Sequence, residues 1–178
     1  YQPPRIWNEV ALNGGLFYKR DEGQKLYRRS MYTYWKRSAP MPSMVAFDAP
    51  TREKCVIQRP RTNTPMQALV TMNDVQFVEA ARVFAQRVLN QGGADFDSQL
   101  DYAFLLATSR PADELRKSIF RNLYDSQLKE FSLDKKRAED LLKFGEAKRD
   151  KSVDLVQHAA WTTVASAILN LDEVLTKE

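Results

Sequence analysis

The chain holds a single cysteine, Cys55, and a single histidine, His158, in 178 residues. One cysteine excludes an internal disulfide, and the pair cannot supply a zinc site built from several Cys and His ligands or a C-x-x-C-H haem attachment. Six glycines are scattered without a phosphate-cradling Gly-rich loop. Neither a P-loop, a GxSxG elbow, an HExxH pair nor a dinucleotide fingerprint occurs. Long apolar runs are missing too. The longest uncharged stretch, 155–171, is interrupted by Gln157, His158, Thr162, Thr163, Ser166 and Asn170. A spanning helix wants about 20 mostly apolar residues, so this stretch predicts a buried core helix and no membrane span. The opening YQPPRIW has no apolar h-region of a signal peptide, and reads as the middle of something longer.

What is present is ordinary for a globular protein: 43% hydrophobic and 28% charged residues. A domain of this length buries roughly 70% of its unfolded surface, enough for a real core. The charge is unevenly spread. Residues 1–61 carry 12 Lys/Arg against 5 Asp/Glu, a net +7, and residues 62–178 carry 15 against 18, a net −3. Such asymmetry marks either a nucleic-acid face or a basic surface docked on an acidic neighbour.

Helical periodicity dominates from residue 64 onward. Helices are expected over 65–72 and 74–89, as two helices or as one with a step at Asn73-Asp74, and over 97–108, 111–131, 132–144 (or 134–144) and 153–175. Expected inward residues include Phe77, Ala80, Ala81, Phe84 and Val88 on the second of these. Leu115, Ile119 and Leu123 are expected inward on the helix over 111–131, and Val156, Ala160, Val164 and Ile168 on the last. The sign-alternating run 134–150 reads as a solvated helix with i,i+4 ion pairs. Before residue 64 the pattern is mixed. A short helix is expected over 5–12, ended by Asn13-Gly14-Gly15, and another over 26–38 with Tyr27, Met31, Tyr34 and Trp35 on one face. Pro40 and Pro42 stop it. Residues 50–60 are expected to be irregular, with one short strand around Cys55-Val56-Ile57 as the alternative. The prediction is therefore an all-α fold, an irregular basic N-terminal part (1–63) packed on a helical bundle (64–178).

The stretch RPRTNTPMQALVTMND, 59–74, carries the only candidate site. Thr64 is placed as an N-cap, Pro65 at the first helical position and Gln67 at the third, the spacing of a capping box. The cap leaves Arg59 and Arg61 unexplained, since cations before a helix N-terminus oppose its dipole. They either pair with carboxylates such as Asp48, Glu53 or Asp74, or hold an anion together with Thr64 and Gln67. Basic and aromatic residues also interleave in KLYRRSMYTYWKRS, a composition suited to single-stranded nucleic acid. A helix with an aromatic core face and a basic side toward solvent or a neighbouring domain explains it without a ligand, so nucleic acid is not the expected partner. His158 is expected in the core or at its boundary, and Cys55 as a buried structural thiol.

The blocks YQPPxIW, LYRRSMYTYWKR, FDAPTREKC, RTNTPMQALVTMNDVQFVEAAR and AAWTTVASAILNLDEVLTKE, in this order, resemble the planctomycete-type C-terminal domain of unknown function, family 1553. Val75 departs from the pattern, where members often have Pro. The resemblance implies a large extracytoplasmic or periplasmic bacterial protein in which this domain follows a sister uncharacterised domain and often a cytochrome c-like module. The present chain would then be the C-terminal portion of one larger domain, with the preceding domains as partners. The family has no assigned activity, so the resemblance carries over no catalytic residue, metal or cofactor. Three functions follow as expectations: a non-catalytic interaction or scaffold module; part of an extracytoplasmic enzyme or redox complex; or binding of an acidic ligand or polysaccharide through the basic half.

Overall fold

The computed structural model describes residues 20–36, 38–60 and 62–176. The helix expected over 5–12 and its Asn-Gly-Gly stop lie outside the described residues, as does Arg61. Among the described residues every regular element is helical and none is a strand. The α-helices are α1 (Pro42–Ala46), α2 (Pro65–Asn73), α3 (Val75–Gln91), α4 (Phe96–Thr108), α5 (Glu114–Leu133), α6 (Lys135–Leu142), α7 (Leu155–Leu169) and α8 (Asp172–Leu175). The chain divides into two compact units between Gln67 and Ala68, inside α2.

In the first unit the helix expected over 26–38 does not form. Two short 3-10 turns, Gly23–Tyr27 and Ser30–Tyr32, stand in its place. Aromatic and β-branched residues lose side-chain freedom in a helix, and of the anticipated core stripe only Trp35 is half-buried. Tyr27, Met31 and Tyr34 are each at least half exposed. Residues 55–57 form no strand, and Ile57 is fully exposed. Cys55 is exposed rather than buried. The Arg52 guanidinium lies over the Trp35 ring, 5.2 Å from its centroid.

The second unit is a helical bundle built around α7. Each of α3 to α7 begins on an aspartate whose side chain accepts an N–H of the first turn: Asp74 from Gln76, Asp95 from Ser98, Asp113 from Arg116, Asp134 from Arg137 and Asp154 from Gln157. Free N–H groups at a helix start need an acceptor, and Asp is among the best. Part of the acidic excess of residues 62–178 is thus structural. The step at Asn73-Asp74 separates α2 from α3 because Asp74 adopts an extended backbone to cap α3.

Helix α7 is buried nearly all round, as its sequence predicts. It packs most extensively on α3, then on α5 and α6. Small residues permit the close approach: Ala81 and Ala85 of α3 share one core cluster with Trp161, Val164 and Ala165 of α7 and with Phe104 and Phe120. Phe96, Tyr124 and Trp161 form an aromatic triad with centroids 5.0–5.7 Å apart. Burial pushes the Tyr124 hydroxyl pKa up, helped by the negative charges of Asp125 and Asp154. A second cluster joins Phe131, Ala138 and Leu142 to Ala159 and Ala160.

The phase of two stripes differs from expectation. On α5 the buried residues are Phe120 and Phe131, while Leu115 and Ile119 face solvent. On α3, Ala80 is exposed, while Glu79 and Arg82 are buried. The helix expected over 153–175 is two: Asn170 ends α7, and its Oδ1 accepts the Thr71 hydroxyl at 2.9 Å.

Candidate functional site

The α2 start is a capping box. The Thr64 N–H donates to Gln67 Oε1 at 3.0 Å, and the Gln67 N–H to Thr64 Oγ1 at 3.4 Å. The structure extends it by two residues. Gln67 Nε2 donates to Thr62 Oγ1 at 3.0 Å, and Thr62 donates to Asp48 Oδ2 through its hydroxyl (2.6 Å) and its N–H (3.2 Å). Asp48 holds this position from a left-handed backbone, φ 56°. Of the carboxylates weighed as arginine partners, Asp48 thus binds Thr62, and Asp74 caps α3. Arg59 is exposed, with no hydrogen bond or ion pair among the described residues. The box uses the Thr64 and Gln67 N–H groups, so Met66 alone supplies a remaining first-turn donor in the helix, Pro65 having none.

A second constellation, in the second unit, escaped sequence reasoning. Glu79, Arg82, Gln86 and Asn90 follow one another at spacings of three, four and four along α3, which places them on one face. All four bond the loop between α6 and α7. Glu79 Oε1 accepts the N–H groups of Glu146 (2.9 Å) and Ala147. Arg82 donates from Nε to the Phe144 carbonyl at 3.2 Å and from Nη2 to the Ala147 carbonyl. Gln86 Oε1 accepts the Asp150 N–H at 2.9 Å, and Asn90 Nδ2 donates to Asp150 Oδ2 at 3.3 Å. Glu79 and Arg82 are 3% and 1% exposed and lie 3.9 Å apart. Two charges leave water at high cost unless they are paired and their remaining sites are bonded. Here loop backbone bonds Glu79 Oε1 and the Nε and Nη2 of Arg82.

The loop is shaped to deliver them. Gly145 has φ +87°, and a Cβ there would stand 2.3 Å from Glu79 Cδ. The run 134–150 is therefore only half helix. After Leu142 it becomes the loop that satisfies the α3 stripe. Asp150 accepts the hydroxyl and the N–H of Ser152 on Oδ1 (2.7 and 2.9 Å), which lowers its pKa below the usual carboxylate value.

His158 closes the arrangement from α7 and is wholly buried, as expected. Its Nε2 lies 3.0 Å from the Arg82 carbonyl, and its Nδ1 lies 3.3 Å from Arg149 Nε. A carbonyl only accepts and a guanidinium only donates, so the proton sits on Nε2 and the ring is neutral. Burial, then the positive charges of Arg149 and Arg82, lower the His158 pKa, although its bond to the Arg82 carbonyl works the other way. Arg149 Nη2 also donates to the Val153 carbonyl. Both ring nitrogens are thus in use, and no free face of His158 is offered to a substrate. Among the described residues no group of three or more His, Cys, Asp or Glu is placed to hold a metal. Among the described residues no helix is long and apolar enough to cross a membrane.

The local signal for this stripe was Gly145, a lone glycine inside the charged run 134–150. A family model described as "Protein of unknown function (DUF1553)" matches residues 1–124. The chain belongs to this family. The matched residues take in the α2 capping box and the α3 stripe of this DUF1553 member. The loop that the stripe holds, and His158, lie beyond them. No curated protein and no solved structure matches the chain.

Proposed function

We propose that this DUF1553 member is a non-catalytic interaction module that docks on an acidic protein face through its basic first unit. The carrying observation is a contrast between the two units. In the second, Glu79, Arg82 and His158 are buried in structural bonds. In the first, Lys25, Arg28, Arg29, Lys54 and Arg59 are exposed beside exposed Met31, Tyr32 and Ile57. Aromatic residues, Met and Arg are the residues that protein interfaces favour, and rim cations steer an acidic partner. The family resemblance supports the remainder of this reading: export from the cytoplasm, and a partner among preceding domains of a larger protein, a cytochrome c-like module included.

The test uses the full chain and a charge-reversed variant, Arg28→Glu/Arg29→Glu/Arg59→Glu, titrated with poly-glutamate and with a sulfated polysaccharide at low and high salt. Binding of poly-glutamate by the wild type, lost in the variant, supports the proposal. Binding of the polysaccharide alone supports the second reading, a polyanion site that includes Arg59, Arg61, Thr64 and Gln67. That reading is favoured by the exposed, unpaired Arg59. Binding of neither overturns both.

A further inference from the structure

We propose that residues 148–153 form an acid-released clasp, opened when His158 takes a proton on Nδ1 and displaces Arg149. The geometry sets this up. Nδ1 of His158 is the acceptor for the Arg149 Nε–H. A proton on Nδ1 turns that acceptor into a donor and brings imidazolium against guanidinium. One of the two must leave. His158 is fixed in a helix between buried Ala159 and the Asp154 cap, and its Nε2–H remains bonded to the Arg82 carbonyl. Arg149 is half-buried, lies on a loop and can swing into water at the loss of its bond to Val153.

The charged groups facing His158 are Arg82 from α3 and Arg149 and Asp150 from the loop. Asp150 alone favours the protonated ring. Arg82 is itself compensated by Glu79. Helix α6 presents Ala138 and Leu142 to α7, and α5 presents Phe131 and Tyr124. The imidazole of an unfolded chain titrates near 6.5, and burial holds the folded one lower. The clasp is therefore closed at neutral pH. It opens as pH falls toward the folded value, which lies below 6.5. The Glu79 bonds to Glu146 and Ala147 do not involve His158 and keep the start of the loop in place. Opening is local to the later residues.

Hydrogen exchange of the full chain at pH 7.5 and pH 5.0, corrected for intrinsic rates, tests this. Protection of the Asp150 and Ser152 amides, both hydrogen-bonded in the closed loop, is expected to fall at least tenfold, while α3 and α7 stay protected. Arg149→Gln should show the open loop already at pH 7.5. His158→Gln should remove the pH dependence, because its amide can donate to the Arg82 carbonyl and accept from Arg149 without titrating. If His158→Gln does not fold, the wild-type His158 ring signal and the Arg149 Nε–H signal are followed by NMR, and they must change with one midpoint. Loop and core losing protection together, an unchanged loop down to pH 4.5, a drop that persists in His158→Gln, or separate midpoints each overturn the proposal.

Discussion

Replacing Gly145 with alanine tests the buried stripe most directly. Two costs are separable. The first is backbone: a left-handed conformation costs an L-residue about 1–2 kcal/mol. Gly145 sits at φ +87°. The second is collision. The added Cβ would lie 2.3, 2.5 and 2.6 Å from Cδ, Cγ and Cβ of Glu79. No carbon tolerates such an approach, and three contacts along one side chain leave it no small rotation as escape. Glu79 must withdraw from the Glu146 and Ala147 N–H groups, or the loop must lift away. Either route breaks the buried ion pair's support, an effect of about 3–5 kcal/mol. The sum is about 4–7 kcal/mol, against a total of about 5–15 kcal/mol for a typical domain. Gly93→Ala is the control. Its φ is +102°, but its Cβ would meet only the Ser98 side chain, Cβ at 3.0 Å and Oγ at 3.7 Å, so about 1–2 kcal/mol is expected. Urea unfolding followed by circular dichroism measures both. A Glu79→Gly background sharpens the reading: with Cβ, Cγ and Cδ of residue 79 all gone, Gly145→Ala should cost only the backbone part. Equal losses for Gly145→Ala and Gly93→Ala, or full additivity with Glu79→Gly, would refute the reasoning.

Thr64→Ala removes the α2 cap and should cost about 1 kcal/mol in the same assay; no loss would mean that Gln67 and Thr62 cap the helix without it. Cys55 should react fully with a thiol reagent in the native protein, without denaturant, because it is exposed; protection until unfolding would contradict its placement. Acid should destabilise the second unit through His158, whose folded pKa is lowered: the contribution is complete above about 6.5 and declines below it. His158→Gln should flatten that part of the stability–pH curve.

Periodicity made the all-α class and the positions of α2 to α5 legible, because a 3.6-residue pattern has one main structural meaning. Capping was legible for the same reason: Thr64-Pro65-Met66-Gln67 is a local device and needs no knowledge of the rest of the chain. What failed was whatever depended on a partner element. The aromatic stripe of 26–38 presupposed a continuous helix, and Tyr27, Met31 and Tyr34 are each at least half exposed. The α5 stripe was placed one residue early, Ile119 for Phe120, since Leu115, Ile119 and Leu123 suit a helical face as well as Phe120 and Leu123 do. Glu79 and Arg82 were invisible as buried residues, because charged side chains are almost never buried unless paired. Their partners are backbone groups 62 to 68 positions away. Gly145 was the one local hint, a lone glycine inside a charged run.

This long-range dependence bears on the extent of the folding unit. The family match ends at residue 124, within α5. A chain cut there would keep α3 and α4 but lose α6, the loop and α7. The α3 face formed by Ala81 and Ala85, fully buried against α7 partners, would meet water. Glu79 and Arg82 would lose every loop bond described above. Residues 1–124 alone should therefore give a low-helicity circular dichroism spectrum and no cooperative urea transition. Adding a 125–178 peptide in trans should recover helicity, since the missing face is a continuous one dominated by α7. Cooperative unfolding of the truncated chain would show instead that α7 decorates a core already complete without it, and that the buried stripe is an accessory rather than a closure of the fold.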